Sequence, residues 1–292
     1  MLHSNKDEFL KVLENTSGQT SYPLSLLEKD YYITLTLSKI NELSDNLIFK
    51  GGTALSKIYY SYYRLSEDLD FSMRLPNKQT TRGDRRNIMK PVKEGIRSFT
   101  KRFDMRIEDV GKAGHNESTQ YIYYLDYESV VLGNKQSIKL EIGLGFNPFL
   151  SVSKHKVNHK FLHPFTKEPL FDGGEVTCFA LKELVAEKMR AVATRLTIAP
   201  RDFYDLDYLI RADFNFRDRD LWDLFKKKLA EDGYDTDLKR YHINMGRKPA
   251  EITDMQSRIE EELMDVLTRE EKASFNLQKA LATINEVFGN IK

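Results

Sequence analysis

Asp68-Leu69-Asp70 sets two carboxylates on alternate residues of a short stretch, Asp68 to Met73, that alternates polar and apolar. In a strand such residues point to one face, roughly 6–7 Å apart along the chain, so both can bind hard cations through oxygen. Magnesium takes few protein oxygens and completes its shell with water and phosphate, and holding a second ion usually calls on a third carboxylate. Glu141 fits that need: in Ser137-Ile138-Lys139-Leu140-Glu141-Ile142 the even positions are apolar, and Lys139 and Glu141 share the opposite face. Upstream, Gly51-Gly52-Thr53 can bring backbone N–H groups and the start of a helix against a triphosphate, because glycine has no Cβ to obstruct the approach; Thr53 can add its hydroxyl. Taken singly, Gly-Gly-Thr is more often only a turn, and Asp-x-Asp only an exposed strand pair. Their conjunction in this order points to metal-assisted chemistry on a triphosphate, with paired magnesium ions held by Asp68, Asp70 and Glu141.

The elements that must position these groups follow from periodicity. Leu26 to Leu43 reads as a helix with Ser25 as its N-cap, Leu47 to Lys50 as a buried strand ending in the glycine turn, and Thr53 as the cap of a helix running towards Tyr63. Ile88, Val92, Ile96 and Phe99 predict a helix interrupted early by Pro91 and Gly95. Residues 103–110, 119–131 and 136–145 read as a strand meander, with Gly133-Asn134 as its last turn. A loop-like stretch rich in Lys and His follows Pro148, and from Thr177 the period is helical. The expectation is α+β: a domain over 1–175 with a mixed sheet and helices, then a mainly helical domain over 176–292.

With 292 residues, 40% hydrophobic and 30% charged, the chain is globular rather than disordered. The single Cys178 excludes an internal disulfide framework and suits a reducing cytoplasm; no apolar run is long enough for a membrane span and no signal region follows Met1. The net charge of +1 hides a basic segment from Lys78 to Arg106, with Arg82, Arg85, Arg86, Lys90, Lys93, Arg97, Lys101 and Arg102. Such a segment is either a nucleic-acid footprint or a solvated helix face. His115, His155, His159 and His163 read as loop histidines rather than zinc ligands, and Trp222, Phe225 and Leu221 as core.

Five blocks carry a resemblance to a known family: Glu28-Lys29-Asp30-Tyr31, Phe49 to Lys57, Arg64 to Phe71, Glu187 to Ala191, and Arg201 to Leu206. Together they resemble the AbiEii/AbiGii-type nucleotidyltransferase toxins of bacterial abortive-infection and toxin–antitoxin systems. The resemblance implies a nucleotidyltransferase (DNA polymerase β-like) fold whose helical C-terminal domain completes the cleft. It also implies metal carboxylates at Asp68 and Asp70, a triphosphate-contacting Lys188 and a further functional Asp202. It implies NMP transfer from an NTP to RNA, tRNA acceptor ends in particular, and a separately encoded antitoxin. Lys188 and Arg195 share a helix face and can meet phosphate, or merely lace a surface helix with ion pairs. Asp202 follows Pro200, where capping alone would suit it, and Asp205 and Asp207 read as solvent-facing. Arg64 and Lys57 fit phosphate binding and structural pairing equally. The gap from Gly-Thr to the carboxylates is longer than in minimal nucleotidyltransferases, which leaves the role of Thr53 open. Two rivals remain: the same chemistry on a small molecule or protein hydroxyl, and a binding module whose active site has decayed.

Overall fold

The computed structural model describes residues 1–76, 80–196 and 198–289; Lys78, the first cation of the basic segment, lies outside them. The chain divides into two units, Met1–Phe179 and Ala180–Lys292.

The first unit is built on a seven-stranded sheet of β1 (Leu47–Lys50), β2 (Leu69–Met73), β3 (Gly114–His115), β4 (Gln120–Glu128), β5 (Lys135–Gly143), β6 (Ser153–Lys156) and β7 (Glu175–Cys178). Its spatial order is β3-β4-β5-β2-β1-β7-β6. β2 runs antiparallel to β1 and parallel to β5, and β1 runs parallel to β7, so the sheet is mixed. One face is apolar: Phe49, Leu69, Phe71, Tyr121, Tyr123, Leu125, Leu140 and Ile142 are all buried, as strand alternation demands. The helices of the same unit are α1 (Lys6–Thr20), α2 (Leu24–Ser38), α4 (Arg82–Ile88), which buries no residue, and α5 (Lys90–Lys101), while α3 (Gly51–Ala54) follows β1 directly. Tyr32 of α2 stacks on Tyr127 of β4 with ring centres 4.3 Å apart.

Several elements differ from their sequence reading. α2 begins at Leu24 with Pro23 in the cap position and no side-chain cap, so Ser25 is inside the helix. α3 starts at Gly51 itself and passes into a π-helical turn, Leu55–Tyr59, which places Thr53 in the helix rather than at its cap. Pro91 stands in the first turn of α5, where its missing N–H costs nothing, and Gly95 does not interrupt that helix. The expected strand over 103–110 reduces to one bridge, Arg106 to Asp126. β6 and β7 replace the expected loop and the start of the helical period at Thr177.

The second unit is mainly helical: α6 (Leu181–Thr194), α7 (Pro200–Arg211), α8 (Arg219–Glu231), α9 (Lys239–Gly246), α10 (Pro249–Glu262), α11 (Arg269–Ser274) and α12 (Leu277–Gly289). Leu221 and Phe225 are core, and Trp222 sits half-buried at its edge, donating from Nε1 to the Phe216 carbonyl at 2.7 Å. No helix among the described residues is long and apolar enough to cross a membrane.

Candidate active site

Three strands carry the carboxylate site. Antiparallel pairing sets Lys50 of β1 opposite Asp70 of β2, and parallel pairing sets Asp70 opposite Glu141 of β5. Cross-strand partners share a face, so cation, anion and anion lie side by side on the side of the sheet away from the aromatic core. Asp68 precedes β2 by one residue and joins them on that face. The face is closed further along, where Ile48 is buried and Ser72 donates to the Phe146 carbonyl at 3.0 Å, and it opens at Lys50, Asp70 and Glu141, all of which are partly exposed.

The glycine turn abuts this cluster. Gly51 has φ +80°, which L side chains rarely adopt, and a Cβ on it would run into the Asp70 carboxylate. Gly52 is packed in the same way against the Arg64 guanidinium. Gly51 and Gly52 are thus needed for close approach, and what approaches Gly51 is Asp70. The Thr53 hydroxyl bonds the Asp68 carbonyl at 2.5 Å and the Ser66 hydroxyl at 2.8 Å. It fixes the chain that presents the carboxylates, and being buried it does not offer its hydroxyl to a ligand.

Electrostatics single out Asp70. Burial pushes its carboxyl up to about 6; Asp68 and Glu141 push the same way, and Lys50 and Lys139 only partly offset them. Glu141 behaves oppositely: burial would raise it, but hydrogen bonds from Lys139 and Gln120 hold it below the usual carboxylate range. Those bonds measure 2.6 Å to Oε2 and 2.7 Å to Oε1. Both oxygens of Glu141 are therefore engaged, and among the described residues no group of three or more His, Cys, Asp or Glu is arranged to hold a metal. The expected three carboxylates come together on one face: Asp68 and Asp70 side by side, and Glu141 opposite Asp70 with Lys139 on its outer oxygen. A pair suits magnesium, which needs only one or two carboxylates when phosphate oxygens complete its shell. The crowding of anions around Asp70 is what a cation would relieve.

Lys57 and Arg64, for which phosphate binding and structural pairing fit the sequence equally, are buried. Lys57 pairs with Asp30 at 2.7 Å and donates to Thr34 Oγ1 at 2.8 Å, while Tyr62 OH donates to Asp30 at 2.8 Å. Burial drives the Lys57 ammonium below its ordinary range, and Asp30 opposes that. Arg64 donates to the Leu65 carbonyl at 2.8 Å and lies against Gly52. The Glu28-Lys29-Asp30 block is structural in the same sense. Glu28 accepts from Val130 N at 2.7 Å and from Ser129, pinning the β4–β5 hairpin loop, and Lys29 pairs with Glu67 at 3.1 Å. The sequence reading missed the burial of Glu28 and Asp30, although apolar residues all round α2 were the available signal.

In the second unit Lys188 of α6 bridges Asp202 and Asp205 of α7, each at 2.8 Å, and Arg195 adds a second cation to Asp202. Two blocks read separately in the sequence are thus one charge-balanced cluster. Asp202 makes these ion pairs rather than a cap, and Asp205 and Asp207 are buried, not solvent-facing. Beside it Lys228 of α8, also buried, meets Glu183 at 2.7 Å, Glu187 at 3.4 Å and Glu231 at 3.5 Å, a cluster the sequence reading did not find. The basic segment divides: Arg85 donates to the Glu117 carbonyl at 2.9 Å and Lys93 lies over the Tyr121 ring, whereas Arg82, Arg86 and Lys101 are exposed. His159 stacks on Phe171 and donates from Nε2 to its carbonyl at 2.7 Å, which fits a packing histidine.

The profile of the nucleotidyl transferase AbiEii toxin family, of type IV toxin–antitoxin systems, matches residues 36–283, most of the chain. The chain belongs to the AbiEii family. It is accordingly a nucleotidyltransferase of the toxin type. Among solved structures it is similar to the nucleotidyltransferase toxin MenT4 of Mycobacterium tuberculosis, with 16% identity, a TM-score of 0.57, and coverage of 95% of this chain and 97% of that one. It is also similar to a candidate nucleotidyltransferase from H. pylori, with 18% identity, a TM-score of 0.52, and coverage of 91% and 93%. At such identities the likeness establishes the fold, a nucleotidyltransferase sheet followed by a mainly helical region. No curated protein matches the sequence. The AbiEii match spans both the carboxylate site and the Lys188 cluster.

Proposed function

We propose that this AbiEii protein moves a nucleoside monophosphate from an NTP to the terminal hydroxyl of an RNA, the acceptor end of tRNA in particular, in a magnesium-dependent reaction. The acceptor oxygen bonds to the α-phosphorus, the α–β phosphoanhydride breaks, pyrophosphate leaves, and the hydroxyl proton passes to solvent. The observation that carries this reading is Asp70: a carboxylate set against the Gly51 backbone, beside Asp68 and Glu141, with a proton affinity raised by burial and by their charge. Bound at Asp68 and Asp70, magnesium would supply the positive charge that a triphosphate and its leaving group require. Asp68 and Asp70 would hold that charge beside Gly51 at the start of α3. Lys139, part-exposed on Glu141, is the cation that would turn to phosphate and leave Glu141 to join the pair. Through the AbiEii resemblance Lys188 is assigned to triphosphate contact and Asp202 to a further functional role, and Arg195 is placed with them by its ion pair to Asp202. In the cell such transfer would stop translation, restrained by the antitoxin, in keeping with a cytoplasmic toxin and a role in phage defence. The exposed Arg82, Arg86 and Lys101 supply a sequence-independent attraction for RNA.

The test incubates the protein with magnesium, each labelled NTP in turn and total bacterial tRNA, with the Asp68→Ala/Asp70→Ala variant as control. Labelled RNA that vanishes in the variant is the expected result and identifies the nucleotide. Label on protein or small molecules but never on RNA would replace the acceptor, and undiminished label in the variant would remove the site.

A further inference from the structure

β4 carries four tyrosines. Tyr121, Tyr123 and Tyr127 are buried on the core face, but Tyr124 points to the open face and is 56% exposed. Pairing sets it opposite Lys139, whose ammonium lies 2.6 Å from Glu141. The ring therefore stands one residue pair, about 7 Å along the strands, from the row that holds Glu141 and Asp70. An exposed aromatic in the middle of a nine-residue strand, so close to the carboxylates, contributes little to the core and presents a flat apolar face to whatever occupies the site.

Beside the ring is a cavity of about 300 Å³. Ile122, Tyr124 and Asp126 of β4 line it with Ser137 of β5, and Glu108 and Asp109 form its rim. The one cation on that rim, Lys135, is engaged by Glu108 at 2.9 Å and Asp126 at 3.4 Å. A wall of this sign repels a phosphodiester or a triphosphate but admits a neutral planar group with N–H donors. Stacking on an aromatic ring is how single-stranded nucleic acid is commonly held, because every base offers a π-face.

We propose that Tyr124 and this cavity seat an unstacked nucleobase of the acceptor strand next to the reacting hydroxyl. The proposal rests on the RNA-acceptor reading above and deepens it: the acceptor is bound at its end as a single strand, through a base, rather than only by its backbone. Tyr124 is on this view a positioning residue.

Steady-state transfer to bacterial tRNA by the full chain, with KM for RNA and for NTP measured separately, tests it in wild type, Tyr124→Ala and Tyr124→Phe. Tyr124→Ala should raise the KM for RNA about tenfold, leave that for NTP unchanged, and be rescued by Tyr124→Phe, with the three proteins melting alike. An unchanged KM for RNA in Tyr124→Ala overturns the proposal alone. A rise in the KM for NTP instead assigns the ring to the donor nucleotide and also overturns it. A wild type that labels no RNA overturns the acceptor reading and this proposal together.

Discussion

Asp30 and Asp70 lie in the same unit, each within reach of a lysine, and they are neutralised in opposite ways. Asp30 is sealed in the interior with Lys57 at 2.7 Å and the Tyr62 hydroxyl at 2.8 Å. Asp70 sits on the sheet with Lys50 on one side and two further carboxylates near it, and burial and like charge raise its proton affinity. The first arrangement is complete without a ligand. The second crowds three carboxylates together, and Lys50 and Lys139 offset them only in part. Charged residues in two of the family-like blocks thus serve different purposes, and the difference lies in whether the compensating charge is already within the fold.

That contrast can be broken at several points. Lys57→Ala should have the largest effect on stability, because it leaves Asp30 as an uncompensated buried charge, a change that costs about 3–5 kcal/mol. Urea unfolding would read it, and an unaltered midpoint would show that Asp30 is not held as described. Asp70→Asn should act in the other direction. The folded carboxyl titrates at about 6 against 3.8 for the unfolded chain, so below pH 4 both states are protonated and the charge imposes no penalty. The penalty grows as pH rises through that window and is constant above it, at most about 3 kcal/mol. In magnesium-free buffer the Asn variant should therefore melt higher than wild type at pH 7, and the gap should close as pH falls from 6 to 4. Equal melting at pH 7 would mean that Asp70 is not strained. The smallest effect belongs to Arg195→Ala: its side chain is 55% exposed beside Asp202, which keeps Lys188. A loss below about 1 kcal/mol is expected, and a greater one would place Arg195 with Lys57 among the structural cations.

The sequence made β1 legible as a short apolar run closed by glycines, and β2 and β5 by their alternation around a buried row; the parallel register of those two then puts Asp70 and Glu141 on one face. It concealed β6 and β7, each four residues long, the first reading Ser-Lys-His-Lys with no apolar member. It misread 103–110, where Phe103 and Met105 pack as a helix exit and only Arg106 bridges to β4. Thr53 was seen as a possible ligand, yet its partner is a carbonyl two residues ahead of Asp70, a contact that no local pattern encodes. Lys57 and Asp30 are 27 positions apart and pair only because α2 and the π-helical turn meet.

The parallel pairing of β2 with β5 also bears on when the carboxylate face comes together. Asp70 acquires its neighbour Glu141 only after the intervening helices and the β4 hairpin strand have been made, and β1 must wait longer still for β7 to cover its outer edge. Contacts so distant in sequence close late and slowly. A chain still emerging from the ribosome holds Asp68 and Asp70 without the strands that frame them. The carboxylate face is therefore assembled only once the chain has been made as far as β5.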